Sequence, residues 1–140
     1  MAPSFQIQFI AMKYFTLKEL CHSNTAYAHN IDNTPKDQKI YDNLEALVNN
    51  CLDVAREQLG EPIIVNCAYR CPEVNRLVGG VKNSAHIRGA AADIRCKNMT
   101  KLINILKHLP VFDQLLIYPT FCHISYETER KNRKQIIYMH

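Results

Sequence analysis

From Ile40 to Leu59 the apolar residues Ile40, Leu44, Leu47, Val48, Cys51, Leu52, Ala55 and Leu59 recur at helical spacing. They line one face of a helix at 3.6 residues per turn, and Gly60 followed by Pro62 ends it. Thr34 as N-cap and Pro35 at the first helical position are expected to open it. A helix with one apolar face must cover something, and the chain downstream supplies mostly short strands. These are expected over 62–68, 90–96, 112–118, 121–126 and 135–138, with short helices over 72–77 and 98–109 between them. Helices gathered early and strands clustered late, without strict alternation, imply an α+β domain. A mainly antiparallel sheet with helices packed on one side is expected.

A chain of 140 residues is the size of one domain with one core. Thr16-Leu17-Lys18-Glu19 reads as a capped short helix, with Glu19 reaching back. Upstream, Phe5, Ile7 and Phe9 alternate with Gln6 and Gln8, the period of a half-buried strand. A second methionine follows at Met12, so residues 1–11 read as an N-terminal extension or edge strand and 12–140 as the domain. Gln6, Gln8 and Lys13 break the only apolar stretch near the N-terminus, which excludes a membrane span there and makes a poor export signal. The six cysteines contain no Cys-x-x-Cys pair and no export signal accompanies them, so they read as small buried hydrophobes. The net charge of +4 is spread out except at Arg130, Lys131, Arg133 and Lys134. That run lacks the aromatic interleaving of a nucleic-acid surface and reads as a solvated turn between two strands; no nucleic-acid partner is expected.

The stretch Ser84-Ala85-His86-Ile87-Arg88-Gly89-Ala90-Ala91-Ala92-Asp93 sets an imidazole and a carboxylate seven residues apart, with glycine and alanines between. Gly89 permits a close backbone approach, and the small residues leave room for an ion. On a strand over 90–96, Ala91, Asp93 and Arg95 share one face. On a strand over 121–126, His123 and Ser125 stand opposite Cys122, Ile124 and Tyr126. Two neighbouring strands can therefore aim Asp93 and His123 at one point, with His86 delivered by the preceding loop. Two imidazoles and a carboxylate make a divalent-metal ligand set that leaves a coordination position open. On pattern alone, any of these histidines could equally be an ordinary core or surface residue.

Five motifs carry a resemblance: Tyr14-Phe15-Thr16-Leu17-Lys18-Glu19-Leu20, Tyr69-Arg70-Cys71-Pro72-Glu73-Val74-Asn75, Ser84-x-His86-x-x-Gly89-x-Ala91-x-Asp93, Phe112-Asp113-Gln114-Leu115 and Cys122-His123-Ile124-Ser125-Tyr126. In this order the chain from Lys13 onward resembles the zinc D-alanyl-D-alanine carboxypeptidases. These are relatives of D-Ala-D-Ala dipeptidases, phage endolysins and the hedgehog signalling domain. The resemblance implies the hedgehog/DD-peptidase fold, with Zn²⁺ on His86, Asp93 and His123. It also implies that Arg70 sits beside the metal to hold a substrate carboxylate or polarise the scissile carbonyl, the alternative being a structural salt bridge. Ser84 is expected to brace the metal-site loop or a ligand carboxylate. Asp113 is expected to orient a loop or histidine, or to be an exposed strand-start residue. Tyr69, Asn75 and Gln114 are expected to pack and brace.

The chain departs from the pattern at Thr120, three residues before His123, where related enzymes place an acidic general base. Glu127 shares the strand face of His123 but stands ~13 Å along. No base is assigned from sequence. The activity implied is hydrolysis of peptidoglycan peptides, as a carboxypeptidase or an endolysin-type endopeptidase, by a monomer. With no export signal, action at the cell wall is expected after release in a phage or prophage lysis setting. The alternative is a zinc-containing wall-binding module that has lost its base.

Overall fold

The computed structural model describes residues 12–140, so the strand expected near residues 4–10 lies outside the described residues. Thr16 caps α1 (Leu17–Leu20) by accepting from the Glu19 N–H at 3.1 Å. Ser23 caps α2 (Asn24–Ala28) in the same way, a five-residue helix in a stretch read from sequence only as polar. The helix that leads into the core starts later than expected. Asp37, not Thr34, caps α3 (Gln38–Leu47), its carboxylate accepting from the Lys39 N–H at 3.0 Å. Thr34 instead donates its N–H to Asp32 in a tight turn, and the Pro35 carbonyl accepts from the buried Tyr41 hydroxyl.

The helix continues through a π-helical turn (Val48–Leu52) into α4 (Asp53–Leu59), and Gly60 ends it at φ +75°. The wider turn keeps Val48, Cys51 and Leu52 fully buried beside Leu44, Leu47 and Ala55. The apolar face marked in the sequence is therefore the core face. Next come β1 (Ile64–Cys67), α5 (Pro72–Leu77), β2 (Ala91–Arg95), α6 (Met99–Lys107), β3 (Gln114–Ile117), β4 (Cys122–Ser125) and β5 (Gln135–Tyr138).

The five strands form one sheet in the order β1-β2-β4-β3-β5. The sheet is mixed, which corrects the expectation of a mainly antiparallel one. β1–β2, β2–β4 and β3–β4 pair antiparallel, and β5 pairs parallel to β3. The reason is steric: β4 already has β2 on one side and β3 on the other. The chain leaving β4 must therefore join at an edge, and once reversed and placed outside β3 it runs in the direction of β3. One sheet face carries Ala92, Ile94, Leu115, Ile117, Cys122 and Ile124 into a single core with the long helix and with Leu102 and Leu106 of α6. The other face is left to a cleft. Cys51 and Cys122 are fully buried, all six cysteines are unpaired thiols, and burial pushes the Cys122 thiol up to about 11.

Candidate metal centre

Register decides the site. Asp93 of β2 lies directly across from His123 of β4, which lies across from Leu116 of β3. Side chains on one sheet face recur every second residue, so the row Asp93, His123, Leu116 and, from the next row, Ser125 and Gln114 form the cleft floor. The alternation that puts Ile94, Cys122 and Ile124 into the core is what turns Asp93 and His123 outward.

His86 arrives from the turn preceding β2. Gly89 makes that turn at φ +72°, and a Cβ there would stand 2.7 Å from the Ile40 carbonyl oxygen, so glycine lets the loop rest on α3. Ser84 Oγ accepts from the His86 N–H at 3.2 Å. His86 is 3% exposed, and its Nδ1 lies 2.7 Å from the Ala68 carbonyl oxygen. A carbonyl can only accept, so Nδ1 carries the proton, which turns Nε2 toward Asp93 at 3.3 Å. A register shift in β1 between Val65 and Cys67 brings the Ala68 carbonyl to this position.

His123 Nδ1 lies 2.9 Å from the same oxygen, Asp93 Oδ1, and the two imidazole rings meet edge to face at 5.1 Å. One donor atom from each of His86, Asp93 and His123 falls within 4.8 Å of the other two. Around a tetrahedral divalent ion with bonds of ~2.1 Å, donors stand about 3.4 Å apart, so this set fits such an ion with small adjustments. Electrostatics point the same way. Burial alone raises the Asp93 carboxyl, but His123 and His86 outweigh it and hold the group well below the usual carboxylate range. Burial lowers the His86 imidazole, and the hydrogen bonds to Asp93 and Cys67 more than reverse this, to about 9. The pocket stabilises positive charge at its centre.

Arg70 follows β1 and lines the same cleft, a cavity of about 530 Å³. Its backbone N–H donates to the His86 carbonyl at 3.2 Å and its Nη2 to Ser84 Oγ at 3.2 Å. Ser84 thus braces both the metal-site turn and the arginine. Asn33, which the sequence reading did not single out, brackets Arg70. It donates to the Tyr69 and Cys21 carbonyls (3.1 and 2.9 Å) and accepts from the Cys71 N–H at 2.8 Å. Arg70 makes no ion pair among the described residues, and its buried Nε has no protein partner. Tyr69 is buried in the core, Asn75 donates to the Val81 carbonyl, and Gln114 bonds Gln135, all packing or bracing roles.

Asp113 is 2% exposed and touches no histidine. It binds Arg130 and Arg133 of the β4–β5 connection, which is therefore pinned to the sheet by two of its four basic residues. Glu127 also lines the cleft, paired by both oxygens with Arg88 at 2.8 and 2.9 Å. Thr120 is exposed in the β3–β4 turn, where the stacked rings of Tyr118 and Phe121, not Thr120, face the cleft.

A family model, Peptidase M15, matches residues 13–125. The chain belongs to the Peptidase M15 family. The match takes in α1 through β4, and so all three members of the His86, Asp93, His123 group, together with Arg70 and Ser84. Among curated proteins, none matches the chain. For a Peptidase M15 chain, a half-buried carboxylate between two imidazoles on the cleft floor is a group that can hold a metal ion. No described helix is long and apolar enough to cross a membrane.

Proposed function

We propose that this protein is a zinc peptidase that hydrolyses peptides of the bacterial cell wall, as a D-Ala-D-Ala carboxypeptidase or an endolysin-type endopeptidase. The observation that carries the reading is the approach of His86 Nε2, Asp93 Oδ1 and His123 Nδ1 to one point on the cleft floor of a Peptidase M15 chain. These three atoms would hold the ion. When bound, zinc supplies Lewis-acid chemistry, polarising a carbonyl and making water more acidic. The chain's own residues prepare that chemistry. Ala68 fixes the tautomer of His86 so that its Nε2 lone pair faces inward. Arg70, held by Ser84 and bracketed by Asn33, presents its remaining N–H groups to a substrate carboxylate or to the scissile carbonyl. On this reading residues 12–140 are a single peptidase domain, residues 1–11 an extension, and the monomer works at the wall after release in phage or prophage lysis.

One observation favours a second reading. Besides Asp93, the cleft holds two carboxylates, and both are taken: Asp113 by Arg130 and Arg133, Glu127 by Arg88. Thr120, in the family's base position, faces away. A module that holds zinc and binds wall peptides without cleaving them fits that arrangement. Metal analysis and digestion of purified peptidoglycan separate the two. One equivalent of zinc with turnover that His86→Ala abolishes supports the peptidase. One equivalent with peptide binding and no turnover selects the binding module, and no zinc uptake overturns both.

A further inference from the structure

Where the chain enters β2 and β3 and leaves β4, three arginines stand on two buried carboxylates. Arg88 donates to both oxygens of Glu127 at 2.8 and 2.9 Å. Arg130 donates to both oxygens of Asp113 at 2.8 and 2.9 Å, and Arg133 reaches the same carboxylate through Nε at 3.0 Å and Nη2 at 2.8 Å. Burial is uneven across the pairs. The Glu127 and Asp113 side chains are 8% and 3% exposed, whereas those of Arg88, Arg130 and Arg133 are 48%, 47% and 50% exposed. All five side chains line the cleft, the carboxylates lying deeper and the guanidinium groups nearer solvent, with three cations over two anions.

Each guanidinium has five N–H groups in a rigid plane, and a bidentate pair with a carboxylate uses two. The carboxylates beneath hold the planes still, so a ligand does not bear the entropy of ordering three long side chains. All three arginines line the same cavity as the metal ligands. Glu127 stands four residues past His123 and the chain bends after Ser125, so the two lie at most ~13 Å apart, within the reach of roughly three to four peptide residues. Arg70 occupies the opposite, β1 side of the triad.

We propose that Arg88, Arg130 and Arg133 form a second anion subsite, which takes a carboxylate carried by the peptide within about three residues of the bond at the metal, on the acyl side. The substrate class is therefore an acidic peptide with a carboxylate at each end of its bound stretch, one on Arg70 and one on this wall. The proposal rests on the peptidase reading for its sense of direction, but its binding prediction does not require turnover.

The test uses the full chain, zinc-free, and two synthetic peptides: acetyl-Glu-Ala-Ala-D-Ala-D-Ala and the same peptide with Gln in place of Glu. Calorimetry at low salt is expected to show the Glu peptide binding about fivefold more tightly, with the difference shrinking as salt is raised. Arg88→Gln and Arg130→Gln are expected to reduce that preference below about twofold. Arg88→Lys should retain part of it, and Arg56→Gln, outside the cleft, should retain all of it. Equal affinity for the two peptides in the unmodified protein overturns the proposal whatever the variants do. So does a preference that Arg70→Gln abolishes and Arg88→Gln leaves intact. A zinc titration in the same calorimeter judges the peptidase reading separately, because failure to bind zinc sinks that reading while the Glu-versus-Gln comparison still stands.

Discussion

The cleft contains two charged clusters built on neighbouring strands, and they differ in where their donors point. On β2 and β4, two imidazole nitrogens and a carboxylate oxygen converge within 4.8 Å, and among the described residues no cationic side chain pairs with Asp93 apart from the histidines themselves. Where the chain enters β2 and β3 and leaves β4, the carboxylates of Asp113 and Glu127 each meet guanidinium groups in two-point pairs. The first arrangement asks for a positive ion from outside. In the second the carboxylates are already paired and act as anchors, so what it has left for a ligand is the remaining N–H groups of its arginines. A cluster of charge is thus informative through its unmet valence, not through its density.

The largest effect expected from breaking this contrast is at the first cluster. His86→Ala should lower zinc affinity by more than about 100-fold and abolish hydrolysis, since it removes one of three ligands; near-unchanged zinc uptake by calorimetry would remove the basis of the metal centre. Asp113→Asn should act in the opposite sense. It should lower unfolding stability by about 2–3 kcal/mol, because two guanidinium groups lose a charged partner, while zinc affinity changes less than about threefold. Denaturant midpoints and a zinc titration on the same variant check both halves, and a large loss of zinc affinity would mean that the two ends are not independent.

Gly89→Ala sharpens the comparison from the backbone. Its left-handed φ and the Ile40 carbonyl in the path of a Cβ predict a loss of about 2 kcal/mol, read as a lower melting temperature. Acid titration gives a subtler signature. Burial pushes the Asp113 carboxyl up, but hydrogen bonds from Arg133 and Arg130 outweigh it and hold the group well below the usual range. A depressed folded pKa gives stability that is present above the unfolded value of about 3.9 and lost as pH falls toward the folded one. Between about pH 5 and pH 2, the unmodified protein should therefore lose more stability than Asp113→Asn; parallel curves would contradict this. The smallest effect is expected at Thr120→Ala, with rates and peptide affinity within about twofold, since an exposed turn hydroxyl outside the cleft has no reacting partner. A tenfold drop would draw the turn into the chemistry.

The sequence announced one end of the cleft much better than the other. Strand alternation around Ile94 and Ile124 sufficed to turn Asp93 and His123 to a shared face, because a period of two is local and rigid. Gly60, Gly89 and the Pro72 start of α5 were legible for the same reason, since each follows from the geometry of one or two residues. Asp37 was missed as the cap of α3 because Thr34-Pro35 offers an equally good start three residues earlier; the bond from Tyr41 to the Pro35 carbonyl is a tertiary fact. The parallel placement of β5 depends on β2 and β3 already flanking β4, which no local pattern encodes. Arg88 with Glu127, and Arg130 and Arg133 with Asp113, were equally hidden. Their partners lie 39, 17 and 20 residues apart, and the bend after Ser125 that carries Glu127 to Arg88 leaves no compositional trace.

Asn33 gives the first third of the chain a part in the site to which it supplies no ligand. One amide ties the end of α1 to the peptide groups on either side of Arg70, a support for the arginine in addition to the one that Ser84 shares between Arg70 and the metal-site turn. Substitutions among the early helices can then shift Arg70 from a distance while Asp93 and His123 keep their register on β2 and β4.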